Sequence, residues 1–121
     1  MAEKPHKKLE AWKKSIKLTL IVYNATTKLP DPEKFGLVSQ MRRSAVSIAS
    51  NIAEGAARNT RKEFTQFLCN ARGSLSELDT QVLLCKELGY FSEIDFDEVT
   101  NRIEEVSKLL TGLIKMLRNQ Q

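Results

Sequence analysis

The spacing of apolar residues constrains the fold most: along four long segments they recur at every third or fourth position. Residues with this spacing lie on one face of an α-helix. The spacing does not match the alternation of apolar and polar residues in a half-buried strand. A chain of 121 residues can form one domain with a real core, but not comfortably two. The pattern predicts an all-α fold, an antiparallel up-down four-helix bundle. We expect a single domain over residues 9–118, preceded by a flexible tail, residues 1–8.

The first two helices carry wide apolar stripes. Helix one is predicted from Leu9 to Leu29, because a residue that precedes a proline is pushed out of the α region. Helix two is predicted from Phe35–Leu37 to Ala57. The predicted stripe of helix one is Leu9, Trp12, Ile16, Leu20 and Tyr23, widened by Leu18, Ile21, Val22 and Ala25. That of helix two is Leu37, Met41, Ala45, Ile48 and Ile52. Such breadth indicates burial against more than one neighbour.

The last two helices have clear end signals. Thr60 and Glu63 have the spacing of a capping box that opens helix three, and Gly89 suits its end. Gly73, inside helix three, is interpreted as a site of close helix approach, and Gly55 as an aid to the termination of helix two. Helix four follows the join Tyr90–Glu93, with Ser92, Asp95 or Asp97 as its cap. Its predicted stripe is Val99, Ile103, Val106, Leu110, Leu113 and Leu117.

Residue types that carry catalysis are scarce. The single histidine, His6, falls in the tail, where we expect solvent around it. Cys69 and Cys85 lie on one predicted helix, roughly 24 Å apart, so they are expected to be reduced and no disulfide or zinc motif forms. We therefore predict no enzyme activity, no catalytic residue, no metal and no cofactor. No apolar run reaches the roughly 20 residues of a membrane span and no secretory signal is recognisable, so we expect a cytoplasmic protein that binds no membrane.

Charge is divided unevenly along the chain. Residues 1–76 contain 14 Lys or Arg and 6 Asp or Glu, whereas residues 77–121 contain 5 and 9. The basic part would attract a polyanion, or basic and acidic helices would attract each other. The residues predicted to bind nucleic acid are Arg42, Arg43, Arg58, Arg61, Lys62 and Arg72, since the planar guanidinium fork suits phosphate. Each could instead pair with an acid such as Glu54 or Glu77, or face solvent.

The order of several short motifs resembles a known family. These are Phe35-Gly36-Leu37, Gln40-Met41-Arg42-Arg43-Ser44, Ser47-Ile48, Asn51-Ile52-Ala53-Glu54-Gly55, Phe64, Phe67-Leu68, Ala71-Arg72-Gly73-Ser74-Leu75, Glu77-Leu78 and Leu88-Gly89-Tyr90. Together they resemble the 23S rRNA-intervening-sequence proteins, over about Leu9 to Leu117. The resemblance implies a four-helix bundle that assembles as a homopentamer. A similar protein, the accessory variability determinant of diversity-generating retroelements, binds nucleic acid and a reverse transcriptase.

The resemblance leaves two hypotheses open. In the first, copies of the chain form a ring and bind RNA or DNA through a basic surface, by shape and charge. In the second, the chain is a protein-interaction scaffold or an accessory subunit, for example of a reverse transcriptase. In a ring, Asn51 and Glu54 would cap or bridge helix ends, and we expect Glu54 to pair with a cation such as Arg42, Arg43 or Arg58.

Overall fold

The computed structural model describes residues 4–120, with the backbone alone for Lys7 and Lys8. Four α-helices span Glu10–Thr26 (α1), Leu37–Ala56 (α2), Arg61–Glu87 (α3) and Glu93–Asn119 (α4). Short 3-10 helices occupy Pro5–Lys8 and Asp31–Glu33. The all-α prediction is confirmed for the described residues.

The helices form a closed bundle in which each helix packs against two others. α1 contacts α2, α2 contacts α3, α3 contacts α4, and α4 returns to α1. Short connections make consecutive helices antiparallel, as predicted. Two side-chain contacts join the connections at one end of the bundle. Lys28 Nζ lies 3.1 Å from Asp95 Oδ1, and the Tyr90 hydroxyl donates to Glu33 Oε2 over 3.0 Å.

The predicted caps explain where α3 begins and ends and where α4 begins. The Glu63 backbone N–H donates to Thr60 Oγ1, and the Asp95 N–H donates to Ser92 Oγ, each over 3.1 Å. Thr60 and Ser92 therefore satisfy one unpaired N–H at each helix start. Gly89 has φ of +78°, and the Tyr90 N–H reaches the Cys85 carbonyl over 2.8 Å. This is the Schellman arrangement, in which glycine avoids the cost of a left-handed conformation.

The core confirms most of the stripes predicted for α2 and α4 and corrects part of the stripe predicted for α1. The residues fully buried between the helices include Met41, Ile48, Ile52, Leu68, Leu78, Val82, Val99, Val106 and Leu110. In α4, Ile114 is buried and Leu113 half-buried, the reverse of the prediction. In α1, Leu18 and Val22 face the core, whereas Leu20 is 65% exposed and Tyr23 is also exposed. Leu20 and Tyr23 of the predicted stripe thus lie on the outer side of α1, whereas Leu9 and Trp12 pack against the core.

Two of the glycines do not play the predicted roles. A Cβ on Gly55 would lie 2.7 Å from Phe67 Cβ and 3.0 Å from Phe64 Cδ1, so Gly55 lets α2 and α3 approach closely. It is still helical, and α2 continues to Ala56. Around Gly73 no atom beyond the adjoining backbone of its own helix lies within 4 Å of the added Cβ. The close-approach site is therefore Gly55, and the prediction for Gly73 is wrong.

The N-terminal segment is partly ordered against the bundle. Pro5–Lys8 form a 3-10 helix that packs against α1 and α2. His6 is half-buried, with its ring 4.9 Å from that of Trp12, so it is not free in solvent as expected. Residues 1–3 of the predicted tail lie outside the described residues. Among the described helices, none combines the length and the apolar character of a membrane span.

Candidate nucleic-acid interface

Folding collects positive charge at one end of the bundle, which we call the basic end. It comprises residues 4–14, 54–66 and 108–120, where α1 and α3 begin and α2 and α4 end. These ranges contain eleven Lys or Arg and three Asp or Glu. The opposite end, residues 24–36 and 83–98, contains three Lys or Arg and seven Asp or Glu. Charge is therefore separated along the bundle axis, and a polyanion would be attracted to one end only.

Three of the predicted residues meet at the turn between α2 and α3. Arg58, Arg61 and Lys62 are all exposed. Arg58 Nη2 donates to Glu54 Oε1 over 2.9 Å, and its guanidinium stacks 4.8 Å from the centre of the Phe67 ring. This contact confirms the predicted pairing of Glu54. Arg61 Nη1 donates to the Gln120 carbonyl over 2.9 Å and so ties α3 to the end of α4.

The other three predicted cations lie elsewhere. Arg42 leans onto α1, where Nε donates to Thr26 Oγ1 over 3.0 Å and Nη2 to the Tyr23 carbonyl over 3.2 Å. One of these acceptors, the Tyr23 carbonyl, lies in the last turn of α1, where carbonyl groups lack a partner within the helix. Arg43 is exposed on the outer side of α2, and Arg72 is half-buried on α3. Because Arg42 turns toward α1, the six predicted cations are not gathered on one surface of α2 and α3.

The Asn51 side-chain amide forms hydrogen bonds within α2. Nδ2 donates to the Ser47 carbonyl over 2.8 Å and to Ser47 Oγ over 3.1 Å. Ser47 Oγ in turn lies 2.9 Å from Ser74 Oγ on α3. Asn51 therefore supports a polar contact between two helices in mid-bundle, and the prediction that it caps or bridges a helix end is wrong.

The pairing of Arg43 with Glu54 or Glu77 is absent among the described ion pairs.

Sequence reasoning missed residues of the basic end that come from α4. Lys115 and Arg118 are exposed in its last turns, and Arg118 Nη2 lies 3.7 Å from Cys69 Sγ on α3. The antiparallel pairing of α3 with α4 places them beside the α2–α3 turn. That pairing was predicted, so the signal was present. Position near the end of helix four does not by itself show that these cations lie beside a turn between two other helices.

Groups suited to acid–base or metal chemistry are not concentrated in the part of the chain that the structure describes. It contains no cluster of three His, Cys, Asp or Glu side chains with metal-binding geometry. Burial raises the pKa of the Cys85 thiol to about 11, with a smaller effect from Glu33. A thiol with such a pKa is protonated at neutral pH and unreactive. The hydrogen bond to Glu33 is the main cause that raises the pKa of Tyr90.

Comparison with known proteins places this geometry in a family. The family model described as 23S rRNA-intervening sequence protein matches residues 7–112. The chain belongs to this family. Among solved structures, it is similar to a protein of unknown function from the S23 ribosomal protein family of Bacteroides thetaiotaomicron. That similarity has a TM-score of 0.80 and 26% identity, and covers 87% of this chain and 95% of the other. No curated protein matches the sequence.

The 23S rRNA-intervening sequence match includes the α2–α3 turn with Arg58, Arg61 and Lys62. It ends at residue 112, before Lys115 and Arg118. Part of the basic end therefore lies within the family match, and part is contributed by the last turns of α4. The resemblance of the motifs to this family is confirmed.

Proposed function

We propose that the protein is a non-enzymatic homo-oligomer that binds RNA or DNA through the basic end of each bundle. The observation that carries the proposal is the collection of eleven Lys or Arg against three acids at that end. Nucleic acids attract such a surface without regard to sequence, because binding releases counterions from the phosphates. Family membership supports a connection with ribosomal RNA genes. The protein recognises the charge and shape of the nucleic acid, since contacts with phosphates carry no direct information about the base sequence.

The side chains at the turn are arranged for phosphate contact. Arg61 donates one N–H to an uncharged carbonyl, so this contact does not neutralise its positive charge. Lys62 is exposed and forms no ion pair among the described side chains. Arg58 shares its charge with Glu54, so its contribution should be the smallest of the three. A salt bridge exposed on both sides is worth little and can give way to a phosphate.

Salt dependence tests this proposal. The affinity for a 20-nucleotide single-stranded RNA should fall as salt rises, with a log–log slope of about −0.7 per phosphate contacted. Replacing Arg58, Arg61 and Lys62 with Ala should make the slope shallower by about 2 per subunit. The matched control replaces Lys17, Lys28 and Lys86, which lie outside the basic end, with Ala. Equal effects of the two triple variants, or salt-insensitive binding by the wild type, would refute the proposal.

Self-assembly is the second part of the proposal, with the pentamer as the expected size. Its support is apolar surface that one bundle leaves uncovered. On α1, Leu20 and Tyr23 are exposed and Ile16 is half-buried. Phe35, before α2, is 89% exposed. Contiguous surface of this kind usually marks a contact with another protein. Sedimentation of the wild-type chain without nucleic acid would give the mass of five chains if the proposal holds, and a monomer would refute it.

The uncovered apolar surface also favours a second candidate function, a scaffold for another protein such as a reverse transcriptase. In that case a partner would remain bound after nuclease treatment. The triple Ala variant of the α2–α3 turn would then lose its partner or its assembly without losing affinity for RNA.

A further inference from the structure

An apolar hollow with a positive rim lies between α1 and α2. Its volume is about 490 Å³. Tyr23, Phe35 and Val46 supply apolar surface, and Lys34, Arg42 and Arg43 supply positive charge. No Asp or Glu belongs to its described lining. Tyr23, Phe35 and Val46 are all among the exposed large apolar residues, so no residue that the structure describes in the same copy fills the hollow.

A feature of opposite charge projects from the first turn of α4. Ile94 is 79% exposed, which is unusual for an isoleucine, and the neighbouring Glu93, Asp97 and Glu98 are exposed acids. Glu98 lies one turn beyond Ile94 on the same side of the helix. None of these three acids forms an ion pair among the described side chains. An apolar side chain framed by unpaired carboxylates is thus presented to the outside.

The two features occupy neighbouring sides of the bundle at the same end. Gly112 follows Ile94 by 18 residues, or five helical turns, so both lie on one side of α4. Gly112 lines the groove between α4 and α1. The hollow lies on the next side, between α1 and α2. Both lie near the end where α1 ends and α4 begins. A head-to-tail contact can close into a ring when its two different surfaces lie on adjacent sides of each subunit, at the same position along the bundle axis.

We infer that Ile94 of one copy inserts into the α1–α2 hollow of the next copy. This inference rests on the proposed self-assembly and names the surfaces that form it. Ile94 covers Tyr23 and Val46, while Glu98 and its neighbouring acids meet Lys34 and Arg43. Because each copy carries one hollow and one Ile94, the contact repeats around the ring and uses every copy equally. The charge match also opposes contact between two hollows or between two α4 helices.

A second copy fits the hollow better than a nucleic acid does. The hollow is close to the end of the bundle that carries seven acids and three cations, where a polyanion is repelled. One face of the Tyr23 ring is already covered by the Arg42 guanidinium, 4.6 Å from its centre, and is closed to a stacking base. A partner that brings an aliphatic side chain and carboxylates satisfies both the apolar floor and the positive rim.

Two single substitutions test the inference by sedimentation velocity without nucleic acid. Ile94→Asp removes the inserted side chain, and Val46→Asp places a charge in the hollow. Each variant should weaken the subunit contact at least tenfold and sediment as a monomer where the wild type assembles. Both positions are exposed, so circular dichroism should show wild-type helix content. The matched control is Leu84→Asp, at an exposed leucine of α3 outside both surfaces, which should assemble like the wild type.

Mixing the two monomeric variants gives the sharper result. I94D keeps an intact hollow and V46D keeps an intact Ile94, so an equimolar mixture should form a species of two chains and nothing larger. Persisting monomers in the mixture, or either variant assembling alone like the wild type, would overturn the inference while leaving self-assembly in place. Loss of RNA affinity by V46D without loss of assembly would also overturn it, because the hollow would then be a nucleic-acid site. A wild type that is itself monomeric would refute the self-assembly on which it rests.

Discussion

Replacing Gly55 with Ala should destabilise the protein, although alanine is the better helix former. In a helix interior this exchange alone favours Ala by about 1 kcal/mol. The new Cβ, however, would lie 2.7 Å from Phe67 Cβ, an atom fixed to the α3 backbone that cannot rotate away. Overpacking of this kind typically costs about 1–3 kcal/mol. We therefore expect a net loss of up to about 2 kcal/mol in the free energy of unfolding.

Gly73→Ala is the matched control. No atom beyond the adjoining backbone of its own helix lies within 4 Å of its added Cβ, so only the helix propensity remains, and the variant should gain about 1 kcal/mol. Urea unfolding followed by circular dichroism measures both changes. All variants should be compared at one protein concentration, because assembly would contribute to apparent stability. Equal stabilisation by the two substitutions would show that α2 and α3 are free to separate at Gly55, and would refute the close-approach argument.

Other predictions concern the core and the titrating side chains. Leu110→Ala should lower the free energy of unfolding by about 2–5 kcal/mol in the same urea assay, because Leu110 is fully buried; a loss below about 1 kcal/mol would contradict its core position. In a Tyr23→Phe background, Glu33→Gln should lower the pKa of Tyr90 in an ultraviolet absorbance titration, since Glu33 is the main cause of its rise; an unchanged titration would show that the hydrogen bond does not form in solution. The raised pKa of Cys85 stabilises the fold below the unfolded value of 9.0, and this stabilisation should be lost as pH rises toward about 11; the loss over that interval should be smaller in Cys85→Ala. Cys69, which is half-buried, should react with iodoacetamide before Cys85 in mass spectrometry of the native protein, and faster labelling of Cys85 would contradict its burial.

Most of the fold could be predicted because α2, α3 and α4 each have one clear apolar face. α1 could not be resolved in this way. Its apolar residues lie on more than one side, so periodicity could not tell the core positions Leu18 and Val22 from the outer positions Leu20 and Tyr23. The start of α2, predicted within Phe35–Leu37, is at Leu37, and the Phe35 ring lies in solvent before it.

The site was predicted in part for a similar reason. The α2–α3 turn cluster could be located from one hairpin alone, because Arg58, Arg61 and Lys62 are neighbours in sequence. The direction of the Arg42 side chain could not be predicted, since it depends on contacts with Thr26 and Tyr23 on another helix. The division of charge between the two ends is visible only when residues distant in sequence are grouped by the antiparallel order of the helices.

This division gives each bundle a permanent electric dipole along its length, positive where α3 begins and negative where α4 begins. In the electric field of a highly charged polymer, such a bundle is oriented before contact. Most encounters then occur with the positive end toward a polyanion. If bundles stand side by side with their axes parallel, their dipoles add, and the assembly has one positive rim and one negative rim. A long polyanion would then lie across a single rim, held by several subunits at once, so that dissociation would require all of them to let go together.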